Sequence, residues 1–240
     1  MKVMKFGGTS VGSPELIKNV ATLITASKEQ VFVVLSAMSG TTNALIEISD
    51  YLIKRNPEGA NELINRLETS YLSHVDALYS TQEYKEKTQT TLLQIFSYLR
   101  SFTKGHFTSF ESHRVVAQGE IMSTNMMANY LLEQGYHTTL IDALSFMRTD
   151  KNAEPDMEYI KHHLKEAMQG HEDSQVYITQ GFICRNSYGE IANLQRGGSD
   201  YTASLVGVSL PAEEIQIWTD IDGMHNNDPR FVDKTTAIHQ

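Results

Sequence analysis

Apolar positions in this 240-residue chain change their period along its length, and each change marks an element. Lys2–Phe6 is short and alternating, as a strand is, and Gly7 and Gly8 break it. After Ser13-Pro14-Glu15, the residues Leu16, Ile17, Val20, Leu23 and Ile24 recur at helical spacing. Ser13 is placed to cap that helix and Pro14 to occupy its first turn. Val31–Leu35 is continuously apolar and β-branched, the pattern of a strand buried on both faces. A chain that begins β-α-β favours a parallel sheet flanked by helices.

Residues 36–43 are small and hydroxyl-rich, and lead into a helix predicted over 44–54. Residues 58–134 form a long helical section with no strand before Tyr136. Its stripes of Leu63, Ile64 and Leu67, then Leu92, Leu93, Ile95, Phe96 and Leu99, are core or helix-pair contacts. The last helix of that section contains residues 115–123, where Glu120 sits among apolar and small residues. A carboxylate there needs a partner, because burying it unpaired is costly. Pairing with a structural arginine and a role toward substrate are equally open readings. Residues 136–142 alternate as a strand, 143–156 read as a loop, Met157–Met168 as a helix and 175–179 as a strand. Glu214–Trp218 is the last strand, and the loop after it carries Arg230, a candidate phosphate or ribose contact or a plain surface residue.

Two stretches carry the chemistry. Lys5-Phe6-Gly7-Gly8 runs strand, glycine pair, then helix, which brings backbone N–H groups and the positive end of a helix dipole to one spot suited to phosphate. Lys5 adds a full charge. At an effective dielectric near 20, two unit charges about 4 Å apart gain roughly 4 kcal/mol. The stretch is neither a Walker loop nor a dinucleotide fingerprint, since both spacings are absent. Residues 195–203 repeat the logic: Arg196 precedes Gly197 and Gly198, and Ser199 or Asp200 caps a helix running to about Ser209. Arg196 can grip a carboxylate through two parallel hydrogen bonds. Asp200 serves as a cap or holds Lys5 in place. One bend suits a nucleotide's phosphates and the other an acidic substrate. Ligands of open α/β sheets bind outside the carboxyl ends of strands, so the Lys5 loop and the 36–43 loop are expected on one rim.

Twenty basic against 29 acidic residues leave a formal charge of −9. That balance excludes nucleic acid and anionic membrane as expected partners, because affinity for either rests on basic surface. An anionic substrate must then be attracted by a few placed cations. The single cysteine, Cys184, permits no internal disulfide and reads as a small buried apolar group, which fits a cytoplasmic location. No apolar run of about 18 residues occurs, so neither export signal nor membrane span is expected. Nine histidines form no metal-binding motif, so no protein metal site is expected; His162 and His163 are adjacent and read as solvated.

Lys5-Phe6-Gly7-Gly8-Thr9-Ser10-Val11 resembles the opening motif of the aspartate kinases, in the amino-acid kinase family. Three further blocks resemble the family in order: Leu35-Ser36-Ala37 through Thr42-Asn43, Gly119-Glu120 with Met122-Ser123, and the stretch from Arg196 through Gly197, Gly198, Ser199, Asp200, Tyr201 and Thr202 to Ala203. Thr179-Gln180-Gly181-Phe182 and Trp218-Thr219-Asp220 with Asp228-Pro229-Arg230 support them. The pattern is more similar to the lysine-sensitive monofunctional type than to kinases fused with homoserine dehydrogenase.

That resemblance implies an α/β fold, a three-layer αβα sandwich with a mainly parallel central sheet and a helical subdomain in the N-terminal half. It implies that residues 1–240 are the kinase catalytic domain cut short at its C-terminus, without the family's later Phe-Gly-Ala-Lys-type block or its ACT regulatory domains. The implied reaction is ATP- and Mg²⁺-dependent phosphorylation of the L-aspartate side-chain carboxylate, on the route to lysine, threonine and methionine, in a parent that is homo-oligomeric. Lys5, Phe6, Gly7 and Gly8 would contact the nucleotide's phosphates, with Asp200 organising Lys5; Thr219, Asp220, His225 and Arg230 would line the nucleotide side. Ser36, Thr42, Glu120, Phe182, Arg196 and Ser199 would line the aspartate pocket, Arg196 on the α-carboxylate and Glu120 on the amino group. Gln195 stands where the family has glycine, His225 where it has tyrosine, and Asn226 and Asn227 where it has threonines. A kinase of glutamate or carbamate, or a nucleotide-binding lobe inactive as truncated, remain the alternatives.

Overall fold

The computed structural model describes residues 1–195, 197–219, 232 and 234–236. Five parallel strands make the main sheet: β1 (Lys2–Phe6), β2 (Val31–Leu35), β3 (Thr138–Ile141), β4 (Val176–Gln180) and β7 (Glu214–Trp218), in the spatial order β3-β4-β2-β1-β7. Every residue of β2 is buried, as its unbroken apolar run requires. Its side chains alternate between two cores. Val31, Val33 and Leu35 join Met4 and Phe6 on one face, and Phe32 and Val34 join Val3 on the other.

The first face is covered by α1 (Pro14–Thr25), α2 (Thr41–Ile53), α3 (Pro57–Leu78), α4 (Gln82–Ser101), α5 (Ser109–Val116) and α6 (Gln118–Glu133). The second is covered by α7 (Ala143–Phe146), α8 (Met157–Met168) and α9 (Gly198–Ser209). Helix, sheet, helix is the expected three-layer sandwich, with the helical section in the N-terminal half. A two-stranded antiparallel hairpin, β5 (Ile183–Arg185) and β6 (Ile191–Asn193), follows β4.

Local chemistry explains where the elements start and where expectation failed. Ser13 Oγ accepts the Leu16 N–H and Pro14 stands at the head of α1, as the sequence predicts. That helix does not begin at the glycine pair, however: a 3₁₀ turn, Gly8–Val11, intervenes. α2 starts three residues earlier than expected, because Gly40 adopts φ +81° and turns the chain directly into it. The helix expected through 115–123 is broken at Ala117 into α5 and α6. Within the expected loop 143–156, Asp142 caps α7 through Leu144 N–H. The hairpin was not foreseen, although its turn carries the signal: Asn186 Oδ1 accepts from Tyr188 and Glu190 N–H, and Gly189 takes φ +80°. His163 is half-buried, stacked on Tyr159 at 3.7 Å, rather than solvated.

Candidate active site

The carboxyl ends of the parallel strands define one rim. β1 and β2 end in register at Phe6 and Leu35, and β1 and β7 at Phe6 and Trp218. The chain segments that follow are locked together there. Ser36 N–H donates to Phe6 C=O, and Ser39 N–H donates to Gly8 C=O at 3.1 Å. A Cβ on Gly8 would lie 2.6 Å from the Ala37 carbonyl oxygen, so only glycine permits this approach. Gly119 does the same from α6, where a Cβ would meet the Ala37 Cβ at 2.8 Å. Ser123 Oγ donates to Ser36 C=O at 2.8 Å. The 36–39 loop is thus clamped between the first glycine pair and α6.

A cavity of about 280 Å³ opens on this rim. Lys5, Ser36, Thr42, Glu120, Phe182, Ser199 and Asp200 all line it, bringing seven predicted residues together from across the chain. Gln195, Gly197 and Gly198 complete the lining. Gln195 therefore faces the cavity. A larger cleft, about 430 Å³, lies on the helical section around Arg55, Phe102 and His106, away from this rim.

Lys5 Nζ is 2.6 Å from Asp200 Oδ1. Asp200 is therefore the lysine's partner and not a helix cap: Gly197, at φ +81°, caps α9 without any side-chain bond. Gly7 lies directly under the ammonium, since a Cβ there would be 3.6 Å from Lys5 Nζ. The uncapped N-termini of two helices, α2 behind Gly40 and α9 behind Gly197, contribute Thr42, Gly198 and Ser199 to the lining. Helix N-termini favour anions, and here α2 takes the part expected of α1.

Glu120 is 3% exposed. Its Oε1 accepts the Ala37 N–H at 3.2 Å, and its Oε2 has no hydrogen-bond partner among the described residues. No ion pair to it occurs among them either, so the structural arginine considered from sequence is not found there. Burial pushes its carboxyl up to about 7, against a lowering by the Ala37 N–H. A buried carboxylate with one oxygen unsatisfied and facing a cavity is suited to receive a cationic group. Beneath it, Tyr71 and Thr41 share a buried hydroxyl bond of 2.8 Å.

The Phe6 ring lies in the core, stacked on Trp218 at 5.8 Å, and is not part of the cavity lining. Thr219 follows β7 at the same rim and is exposed. Arg196, Asp220, His225 and Arg230 lie outside the described residues. Cys184 is buried, and burial drives its thiol up to about 12, which leaves it inert as a nucleophile. Among the described residues no group of three or more His, Cys, Asp or Glu side chains could hold a metal ion, and no helix is long and apolar enough to cross a membrane.

The parallel sheet gathers at its carboxyl rim a lysine-led diglycine bend and a second diglycine helix start, an α/β arrangement suited to anionic ligands. The profile of the amino acid kinase family matches residues 1–240, and the chain belongs to that family. Within it, the chain is 30% identical over 241 residues to the lysine-sensitive aspartokinase 3 of Escherichia coli K12, covering 99% of this chain and 53% of that protein. It is 32% identical over 252 residues to the chloroplastic aspartokinase 1 of Arabidopsis thaliana, covering 98% of this chain and 43% of that protein. The crystal structure of E. coli aspartokinase III in complex with aspartate and ADP superposes with a TM-score of 0.86 at 29% identity, over 99% of this chain and 53% of that one. The chain spans about half the length of these relatives.

Proposed function

We propose that this chain is the catalytic lobe of an aspartate kinase, transferring the γ-phosphoryl group of ATP to the side-chain carboxylate of L-aspartate. The observation that carries the reading is one cavity holding both an aimed ammonium, Lys5 on Asp200, and a buried carboxylate, Glu120, with an oxygen to spare. An amino acid with a second carboxylate matches that polarity. Its ammonium meets Glu120, and its carboxylates meet the N-termini of α2 and α9. The aspartate and ADP bound to the E. coli relative support the choice of ligands.

A carboxylate oxygen of the substrate attacks the γ-phosphorus, the bond to the ADP oxygen breaks, and 4-phospho-L-aspartate and ADP result. The carboxylate is already a nucleophile, so no covalent enzyme intermediate and no general base are required. Catalysis is then positioning and charge neutralisation. Lys5 supplies positive charge where the phosphoryl oxygens gather, and Gly7 leaves the backbone beneath it uncovered. Mg²⁺ suits a site of this kind when carried by the phosphates and water, with Asp200 the half-exposed described acid lining the cavity. Arg196 on the α-carboxylate, and Thr219, Asp220, His225 and Arg230 on the nucleotide, belong to the same proposal. So do residues 1–240 as one catalytic domain, a homo-oligomeric parent, a cytoplasmic location and a place at the head of lysine, threonine and methionine synthesis.

A coupled ADP-release assay with L-aspartate, L-glutamate and carbamate tests the reading. Turnover with aspartate far ahead is expected. Equal rates with glutamate overturn the choice of substrate, and calorimetric binding of aspartate and ADP without turnover would mean that the lobe alone is inactive.

A further inference from the structure

Phe182 adopts φ +69°, a backbone conformation that a residue with a Cβ holds only when its surroundings impose it. It is the centre of a three-residue turn closed by Ile183 N–H donating to Gly181 C=O at 2.7 Å. A γ-turn with positive φ is the strained form. Both free backbone groups of Phe182 are tied down. Its C=O accepts the Leu194 N–H at 2.7 Å, and its N–H donates to Thr202 Oγ1 at 3.1 Å.

Thr202 lies on α9 with no exposure and does not line the cavity. Its hydroxyl donates to Gly198 C=O at 2.8 Å, an ordinary bond back along a helix. Its lone pairs are thereby turned outward, onto the Phe182 N–H. One hydroxyl thus links the first turn of α9, which carries Ser199 and Asp200, to the strained corner that carries the Phe182 ring. The surfaces it joins are already in close contact. A Cβ on Gly181 would lie 2.9 Å from Ser199 Cα, and one on Gly198 would lie 3.3 Å from Phe182 Cα.

We propose that Thr202 is a positioning residue for the acid pocket, its hydroxyl holding Phe182 in the strained turn and so fixing the ring against Gly198 at the head of α9. The proposal rests on the reading of this cavity as an aspartate site. Without the hydroxyl, the Phe182 N–H is a part-buried donor that has lost its acceptor. The corner then gains by relaxing, and the wall of the pocket moves with it.

The test compares Thr202→Val, which keeps volume and β-branching, with Thr202→Ser, which keeps the hydroxyl, by calorimetric titration of the whole chain with L-aspartate and separately with ADP. The valine variant should bind aspartate up to about tenfold more weakly, as loss of the acceptor for a part-buried N–H implies. ADP affinity should stay within about twofold, and serine should restore aspartate binding. Unchanged aspartate binding by a folded valine variant overturns the proposal, as does equal weakening toward both ligands without rescue by serine. Should valine not fold, Thr202→Cys, similar in volume with only a weak S–H, decides on the same ratio. A parent chain that binds no aspartate sinks the reading of the pocket itself, and the proposal with it.

Discussion

Lys5 Nζ rests 2.6 Å from Asp200 Oδ1, which joins the end of β1 to the first turn of α9. The two side chains differ in exposure, 11% for the lysine and 51% for the aspartate, so the cation is sunk while the acid keeps water. A pair with one half-exposed partner adds little to stability, on the order of 0–1 kcal/mol. What the contact does is aim: it fixes a flexible four-carbon side chain above Gly7, at the carboxyl rim of the parallel sheet where two helix N-termini also meet.

Removing the charge should therefore cost rate rather than fold. Lys5→Ala is expected to lower kcat by about 10²–10³-fold or more, the range seen when a preorganised charge-stabilising donor is lost. Asp200→Asn, which leaves the lysine charged but loosely held, should lower kcat about tenfold with a smaller change in KM for aspartate. Circular dichroism should match the parent in both. Steady-state kinetics in the coupled assay check this, and an Asp200→Asn variant with parental kcat would remove the aiming role.

The two glycines after β1 are predicted to fail differently. Gly8→Ala places a methyl 2.6 Å from the Ala37 carbonyl oxygen, which is backbone and cannot swing aside. Overpacking of that kind costs about 1–3 kcal/mol, and it displaces the loop that holds Ser36 and the Glu120 partner. Gly7→Ala meets Lys5 Nζ at an ordinary 3.6 Å with φ −74°, so the fold should tolerate it. Its methyl would stand between the backbone and an approaching phosphate. Urea melts should separate Gly8→Ala from the parent and leave Gly7→Ala close to it, while turnover falls in both.

Glu120 gives the folded chain a pH signature. Its carboxyl is pushed from 4.5 up to about 7, so the folded state holds this proton more tightly than the unfolded state does. The stability contribution is full below pH 4.5, is lost as pH rises through about 7, and is level above that. Glu120→Gln cannot ionise and escapes the loss. Relative to its difference from the parent at pH 4, it should be more stable at pH 8 by on the order of 3 kcal/mol. Urea-unfolding midpoints of the two proteins across that range measure it. Parallel curves would mean that the carboxyl is not shifted.

Why the strands were legible and part of the site was not has a physical reason. The apolar run of β2 and the Ser13-Pro14 head of α1 are local signals, and both elements fall where their residues say. Glycine pairs are local too, and they located the rim. Whether Asp200 caps a helix or holds Lys5 is not local. It depends on where β1 ends relative to α9, and only packing across the sheet decides it. The motif resemblance, not the periodicity, pointed to Glu120 as a ligand group; periodicity left arginine and ligand equal. The strain at Phe182 was invisible, because nothing in a phenylalanine announces positive φ. Its clue was the small Gly181 beside it, together with a threonine on a helix whose hydroxyl had work beyond its own turn.

The buried carboxylate also sets how ligand binding should respond to pH. An amino acid presenting its ammonium to Glu120 requires the ionised form, whereas the cavity without ligand favours the protonated form below about pH 7. As pH falls below that point, the ionised fraction drops up to tenfold per unit, so the apparent Kd for aspartate should rise by about the same factor, and be flat above. Binding near pH 6 should release about one proton, visible as a dependence of calorimetric heat on the buffer's ionisation enthalpy. Glu120→Gln should bind weakly at every pH and release none. Succinate, with two carboxylates and no amine, should show the opposite slope, because an ionised Glu120 repels it and a protonated one does not. An aspartate affinity that stays level from pH 5.5 to 8 would place the amine elsewhere, and would leave the unsatisfied oxygen of Glu120 without its proposed occupant.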